Sequence, residues 1–232
     1  MRISPAALPL LFLAIAAHGE RDPTDVIAVV LGQEITVADV AESSIDQLIN
    51  GRLVRKFKED NGIAATGEDI AAFAERALER GRQALLDLEA DRAELVEALE
   101  TAAAPQQRQG IQERLDRVER RIKTRSRSPQ AEPDAWATIA KPWVERWKRD
   151  KALFDKYGGR AHWQQVGVQP FDAMIKFLEE QEASGAFTIL DEEYEDEFWA
   201  YWRSEGHRFI PEEEAVELMA KPWWLMDRPS DE

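Results

Sequence analysis

The sequence predicts a mainly α-helical fold with a small N-terminal β-hairpin and a helical-hairpin arm, and three observations carry that prediction. Apolar residues recur at three- and four-residue spacing over most of the chain, two threonines have an acid three places on, and a β-branched run closed by glycine appears near the start. Hydrophobic residues make up 44% and charged residues 32%, the balance of a globular protein. Asp plus Glu total 45 against 30 for Lys plus Arg, a net charge of −15 that repels a phosphate backbone and speaks against nucleic acid as a partner. The absence of cysteine removes thiol nucleophiles, thiolate metal sites and disulfides together. Three histidines are all that remains for imidazole chemistry, and no cofactor or metal is expected.

Met1 and Arg2 precede an apolar stretch from Ile3 to Ala17 that is interrupted by Pro5 and Pro9, and Ala14-Ile15-Ala16 offers small residues at both positions a signal peptidase reads. Residues 1–17 therefore read as a secretory signal. The stretch falls short of the roughly 20 residues a membrane-spanning helix needs, which favours cleavage over an uncleaved anchor. The expected location is periplasmic, with no stable membrane insertion once the signal is removed; a membrane-anchored form is the alternative.

Val26-Ile27-Ala28-Val29-Val30-Leu31 is a strand closed by Gly32, and Glu34-Ile35 is its return partner. Thr36 caps a helix start, with Asp39 three residues on. Val37, Val40, Ile45, Leu48, Ile49, Leu53 and Phe57 then form an approximate stripe as far as Asn61-Gly62, which one helix or two would satisfy. Thr66-Gly67-Glu68-Asp69 opens another helix, with Ile70, Phe73, Ala74, Ala77 and Leu78 behind it.

These residues resemble a known family. Val26 to Val40 looks like the opening of the SurA and PrsA type periplasmic folding factors, a valine-rich strand, a turn, a short strand and a helix start, although Leu31 stands where that family has Asn. Leu48 to Phe57, Asn61-Gly62-Ile63 and Thr66 to Ile70 are similar to its continuation. The resemblance covers about Asp25 to Leu78 and implies a SurA N-terminal-like chaperone module over 25–78. The parvulin isomerase domain of the family has no counterpart here, because the middle of the chain is helical in pattern and carries no histidine. The expectation is a protein without prolyl isomerase activity.

Leu78, Leu85, Leu88, Leu95 and Leu99 recur at seven, three, seven and four, and Ile111, Leu115, Val118 and Ile122 at four, three and four. Thr101 to Gln107, with Pro105, separates the two stripes, so residues 79–127 read as an antiparallel helical hairpin able to act as an arm or to join two copies of the chain. Arg120 to Arg127 is a dense basic cluster that reads as a solvated helix end, and Ser128 to Pro133 is a linker by composition.

All eight tryptophans lie between Trp136 and Trp224, which sets 134–228 apart as a tryptophan-rich helical region. Trp136, Ile139, Trp143, Trp147 and Phe154 mark a helix with a start or kink at Lys141-Pro142 and an end at Tyr157-Gly158-Gly159. Phe171 to Leu178 after Pro170, Tyr194 to Trp202, and Ala215 to Met219 after Pro211 mark three more. Most such rings are core, but Trp143, Trp147, Tyr157, Trp163, Trp199 and Trp202 are the candidates for a surface that binds polypeptide through broad, rigid aromatic contacts. Ala-Lys-Pro-Trp, present at Ala140–Trp143 and Ala220–Trp223, has dissimilar flanks and reads as coincidence.

Chemistry-bearing motifs are few. Asp191 to Glu197 holds six carboxylates in seven residues but no glycine for a calcium loop, so a helix N-terminus explains it, as it does Glu212-Glu213-Glu214. His162 and His207 are isolated in sequence and would matter together only if the fold brings them close. The functional expectation is an exported chaperone-like protein whose partners are unfolded or partly folded exported proteins, with a dedicated subunit of one envelope complex as the alternative.

Overall fold

The computed structural model describes residues 21–126, 133–164 and 167–226; residues 1–17, read from sequence as a signal, and all of the expected 128–133 linker but Pro133 lie outside them. Two short strands come first, β1 (Val26–Val30) and β2 (Gln33–Thr36), followed by α1 (Val37–Glu42) and α2 (Ile45–Asp60). Three long helices follow, α3 (Gly67–Thr101), α4 (Pro105–Ser126) and α5 (Pro133–Tyr157). The last third alternates: β3 (Ala161–Gln164), β4 (Gly167–Gln169), α6 (Phe171–Ala183), β5 (Phe187–Ile189), α7 (Glu192–Trp202), β6 (Phe209–Ile210) and α8 (Glu212–Ala220), then a single 3-10 turn at Trp223–Leu225. The fold is mainly helical with a small N-terminal antiparallel hairpin.

Leu31 and Gly32 both take left-handed backbone, with φ of 52° and 74°, which is the geometry a two-residue hairpin turn requires of its central pair. Val30 and Gln33 face each other across it. Thr36 closes β2 and caps α1 in a reciprocal box with Asp39. The stripe after it is two helices: Ser43 ends α1, and Ser44 caps α2 by accepting from the Gln47 amide.

The hairpin does not stand alone. β5 pairs antiparallel with the other edge of β1, making a three-stranded sheet in the order β2-β1-β5. Ile27, Val30 and Ile35 from that sheet are buried against Ile49 and Leu53 of α2, Phe177 and Leu178 of α6, and Phe198 of α7. Each such side chain contributes about 1.5–3 kcal/mol by leaving water. The N-terminal segment and the last third of the chain thus share one core.

A second sheet, β4-β3-β6, lies in the gaps between the helices that the sequence pattern marks in this region, where no strand is expected. Its strands are two to four residues long, too short for alternation to be visible. Gly158 and Gly159 make the sharp exit from α5 into β3 at φ of 60° and 96°; a Cβ at Gly159 would lie 2.6 Å from that of Asp172.

The helical hairpin of the middle is present. α3 runs unbroken for 35 residues, about 52 Å at 1.5 Å per residue, straight through Leu78 where the sequence suggests a division. Its first turns pack on α5 and on the 3-10 turn, and its remainder packs on α4 through Leu88, Leu95 and Leu115. Lys148 of α5 reaches the Ala64 carbonyl and the Asp69 carboxylate, tying the root of the arm to the body. Pro142 sits inside α5, which continues past it.

Candidate functional site

Six elements converge on one open cleft of about 490 Å³. α2 supplies Asp46 and Asn50, α5 supplies Arg146 and Arg149, the β3 and β4 strands supply Gln164 and Gln169, and α6 and α7 supply Met174, Tyr201 and Trp202. The volume lies within the range of small-molecule and short-peptide sites.

One wall is basic. Asp150 is buried, and burial pushes its carboxyl up against the pull of the Arg149 and Arg146 guanidiniums beside it. Arg149 gives its Nε to Asp150 at 2.8 Å, and Arg146 lies 3.6 Å from the other carboxylate oxygen. Two guanidiniums therefore share one buried carboxyl group. The opposite wall carries Asp46, raised by burial although the Trp202 indole N–H donates to it at 3.0 Å and the Asn50 amide at 2.6 Å. The Asn50 Oδ1 is buried without a hydrogen-bond partner.

The rim is an amide network. Arg146 donates to Gln164 Oε1 at 2.8 Å, the Gln164 amide donates to Gln169 Oε1, and His162 Nε2 meets the same Gln169 oxygen at 2.7 Å. His207 packs 5.1 Å from His162, ring centre to ring centre, so the two histidines do meet. Burial, then the nearby His207 and Arg146, hold the His162 imidazole below its ordinary range despite the Gln169 bond. Among the described residues no group of three or more His, Asp or Glu side chains is placed to hold a metal ion.

The six aromatic candidates do not form one surface. Trp143 and Trp147 are half-buried in a cluster with Phe73, Trp136, Trp223 and Trp224, where Trp143 meets Trp223 edge to face at 6.0 Å. The two Ala-Lys-Pro-Trp segments thus touch through their tryptophans. Trp199 and Trp202 are 2% and 4% exposed and belong to the main core, Trp202 also lining the cleft. Tyr157 is half-buried and donates to Glu180 at 2.7 Å. Trp163 alone among the six is well exposed, at 43%.

The polar cleft residues carry no sequence signature, because glutamines and arginines on separate elements have no fixed spacing. The other motifs are satisfied internally: the Gly159 amide donates to Glu212, Arg160 pairs with Asp172 and Glu205, and Arg21 pairs with Asp191 and Glu193 at the start of α7. Among the described residues no helix is long and apolar enough to cross a membrane. Comparison with protein-family models, with curated proteins and with solved structures returns no match to this chain.

Proposed function

We propose that the mature chain is an exported chaperone-like protein that holds non-native polypeptides by shape and apolar contact, without isomerase chemistry. The observation that supports this reading is a groove of about 580 Å³ at the root of the arm, lined by Ile70, Ala71, Ala74, Leu78 and Trp136. Its walls are largely apolar, with Glu75 and Arg82 also in the lining, and small residues on the helix face let an extended chain lie close to the backbone. Further out, Leu86 and Val96 are exposed on α3, so the apolar character continues along the arm. The acidic balance of the sequence, a net −15 over the full chain including Arg2 of the signal, favours solubility of a loaded complex.

Suppression of aggregation is the test, using the mature chain with two unrelated denatured proteins as clients. Both are protected by the unaltered protein, and Ala71→Glu, an exposed helical position that tolerates glutamate, requires several-fold more protein for the same protection. No protection of either client at several-fold excess overturns the proposal and favours a dedicated subunit of one envelope complex.

A further inference from the structure

The arm is segregated by charge. From Gln83 to Thr101, α3 carries six acids against one arginine, whereas α4 carries seven basic residues against three acids. Asp87, Asp91 and Glu94 follow one another at four and three on α3, and Arg114, Arg117, Arg121 and Arg125 at three, four and four on α4, so each set is a row along one flank of its helix. Asp87 and Arg125 line one hollow, which puts both rows on the same side of the arm. No ion pair joins the rows within the chain: Asp87 takes the Gln83 amide of its own helix, and none of the four arginines has an ionic partner among the described residues. The seam beneath them is half finished. Leu88, Leu95 and Leu115 are buried, but Ile111, Val118 and Ile122 on the inner face of α4 are only half-buried, because two helices leave both sides of their contact open to water.

We propose that this side of the arm pairs with the same side of a second copy of the chain, giving a four-helix bundle about a two-fold axis that runs along the arm. That axis lays the acidic row of each copy over the arginine row of the other, whereas an axis across the arm would lay like on like. Exposed ion pairs contribute little by themselves; the half-buried seam supplies the apolar contact, and the charges fix the partner and the direction, as flanking charges do in coiled coils. The net charge of −15 opposes self-association only at long range, since salt screens charges beyond about 8 Å at physiological strength and leaves the facing rows to decide. Leu78 precedes Asp87 by nine residues, about two and a half turns, so the apolar groove lies on the opposite flank of α3. The pair therefore keeps two grooves open, facing outward.

The test is sedimentation equilibrium of the full mature chain alongside two charge-reversed forms, Arg117→Glu with Arg121→Glu and Asp91→Arg with Glu94→Arg. The unaltered chain sediments as a dimer, each reversed form associates with itself at least about tenfold more weakly, and an equal mixture of the two pairs again because opposite rows then face each other. A single-chain mass for the unaltered protein up to about 100 μM overturns the proposal, that concentration lying well above the range of a specific dimer. Undiminished self-association of the reversed forms also overturns it, as does a mixture of two helical variants that does not pair. Spin labels on Gln106→Cys, at the tip of the arm in a chain that has no cysteine of its own, decide the case even if a reversed form fails to fold. Labels close together are expected; labels apart by the length of α4, about 33 Å at 1.5 Å per residue, or by more, overturn the shared axis along the arm.

Discussion

Leu31 carries a conformational cost that the sequence hints at and the structure locates. A non-glycine residue in left-handed backbone costs about 1–2 kcal/mol, and asparagine, whose side chain bonds locally, tolerates it better. Leu31 is 38% exposed, so little packing is lost on replacing it. Leu31→Asn is expected to raise stability by about 1 kcal/mol in urea unfolding, and an unchanged midpoint would show that the turn is not strained. His162 makes a pH-dependent contribution of known sign. Its folded-state imidazole is held below the ordinary value, with Gln169, Gln164, Tyr201, His207 and Arg146 around it, so the unfolded chain takes up the proton first as pH falls. Stability is full above the ordinary histidine pKa of about 6.5 and declines below it, and His162→Gln flattens that decline in melting temperatures measured from about pH 7 to 5. The meeting of His162 and His207 is not legible from sequence, because it depends on how β3 and the segment before β6 are brought together.

Helices are legible in the sequence and strands largely are not, for a reason of length. α3 and α4 repeat their apolar stripe over several turns, so the spacing alone puts Leu88, Leu95 and Leu115 on an inner face. β5 and β6 have three and two residues and hold their places only through partners distant in sequence, β1 and β3. Capping chemistry is the other readable signal. Thr66 and Asp69 form the reciprocal box at the start of α3, and Asp69 also pairs with Lys148 at 2.5 Å. Burial pushes the Asp69 carboxyl up, but Lys148 and the Thr66 hydroxyl and amide outweigh it and hold it below the usual range. Its contribution is therefore present above the ordinary carboxylate pKa and is lost as pH falls through the lowered value. Asp69→Ala should cost about 1–2 kcal/mol by equilibrium unfolding at neutral pH; a loss near zero would mean that the cap and the tie to α5 are redundant.

At the scale of the whole molecule, the tryptophan-rich composition points to one aromatic surface, and the structure divides those rings by what covers them. Phe73 from the root of α3 and the turn at Trp223–Leu225 enclose one group, while the sheet and α6 enclose another. Sequence shows how many rings there are and cannot show which are covered, since the covering residues come from distant parts of the chain. The same long-range closure builds the cleft from α2, α5, β3, β4, α6 and α7, whose cleft residues share no motif. Two hollows of different chemistry result, the largely apolar groove beside the arm and the polar cleft in the body. The most direct test is hydrogen exchange of the mature protein with and without a saturating unfolded client. Added protection in the first turns of α3, with the polar cleft less affected, is the expected result; unchanged exchange in those turns, with the client bound, would contradict polypeptide binding at the groove.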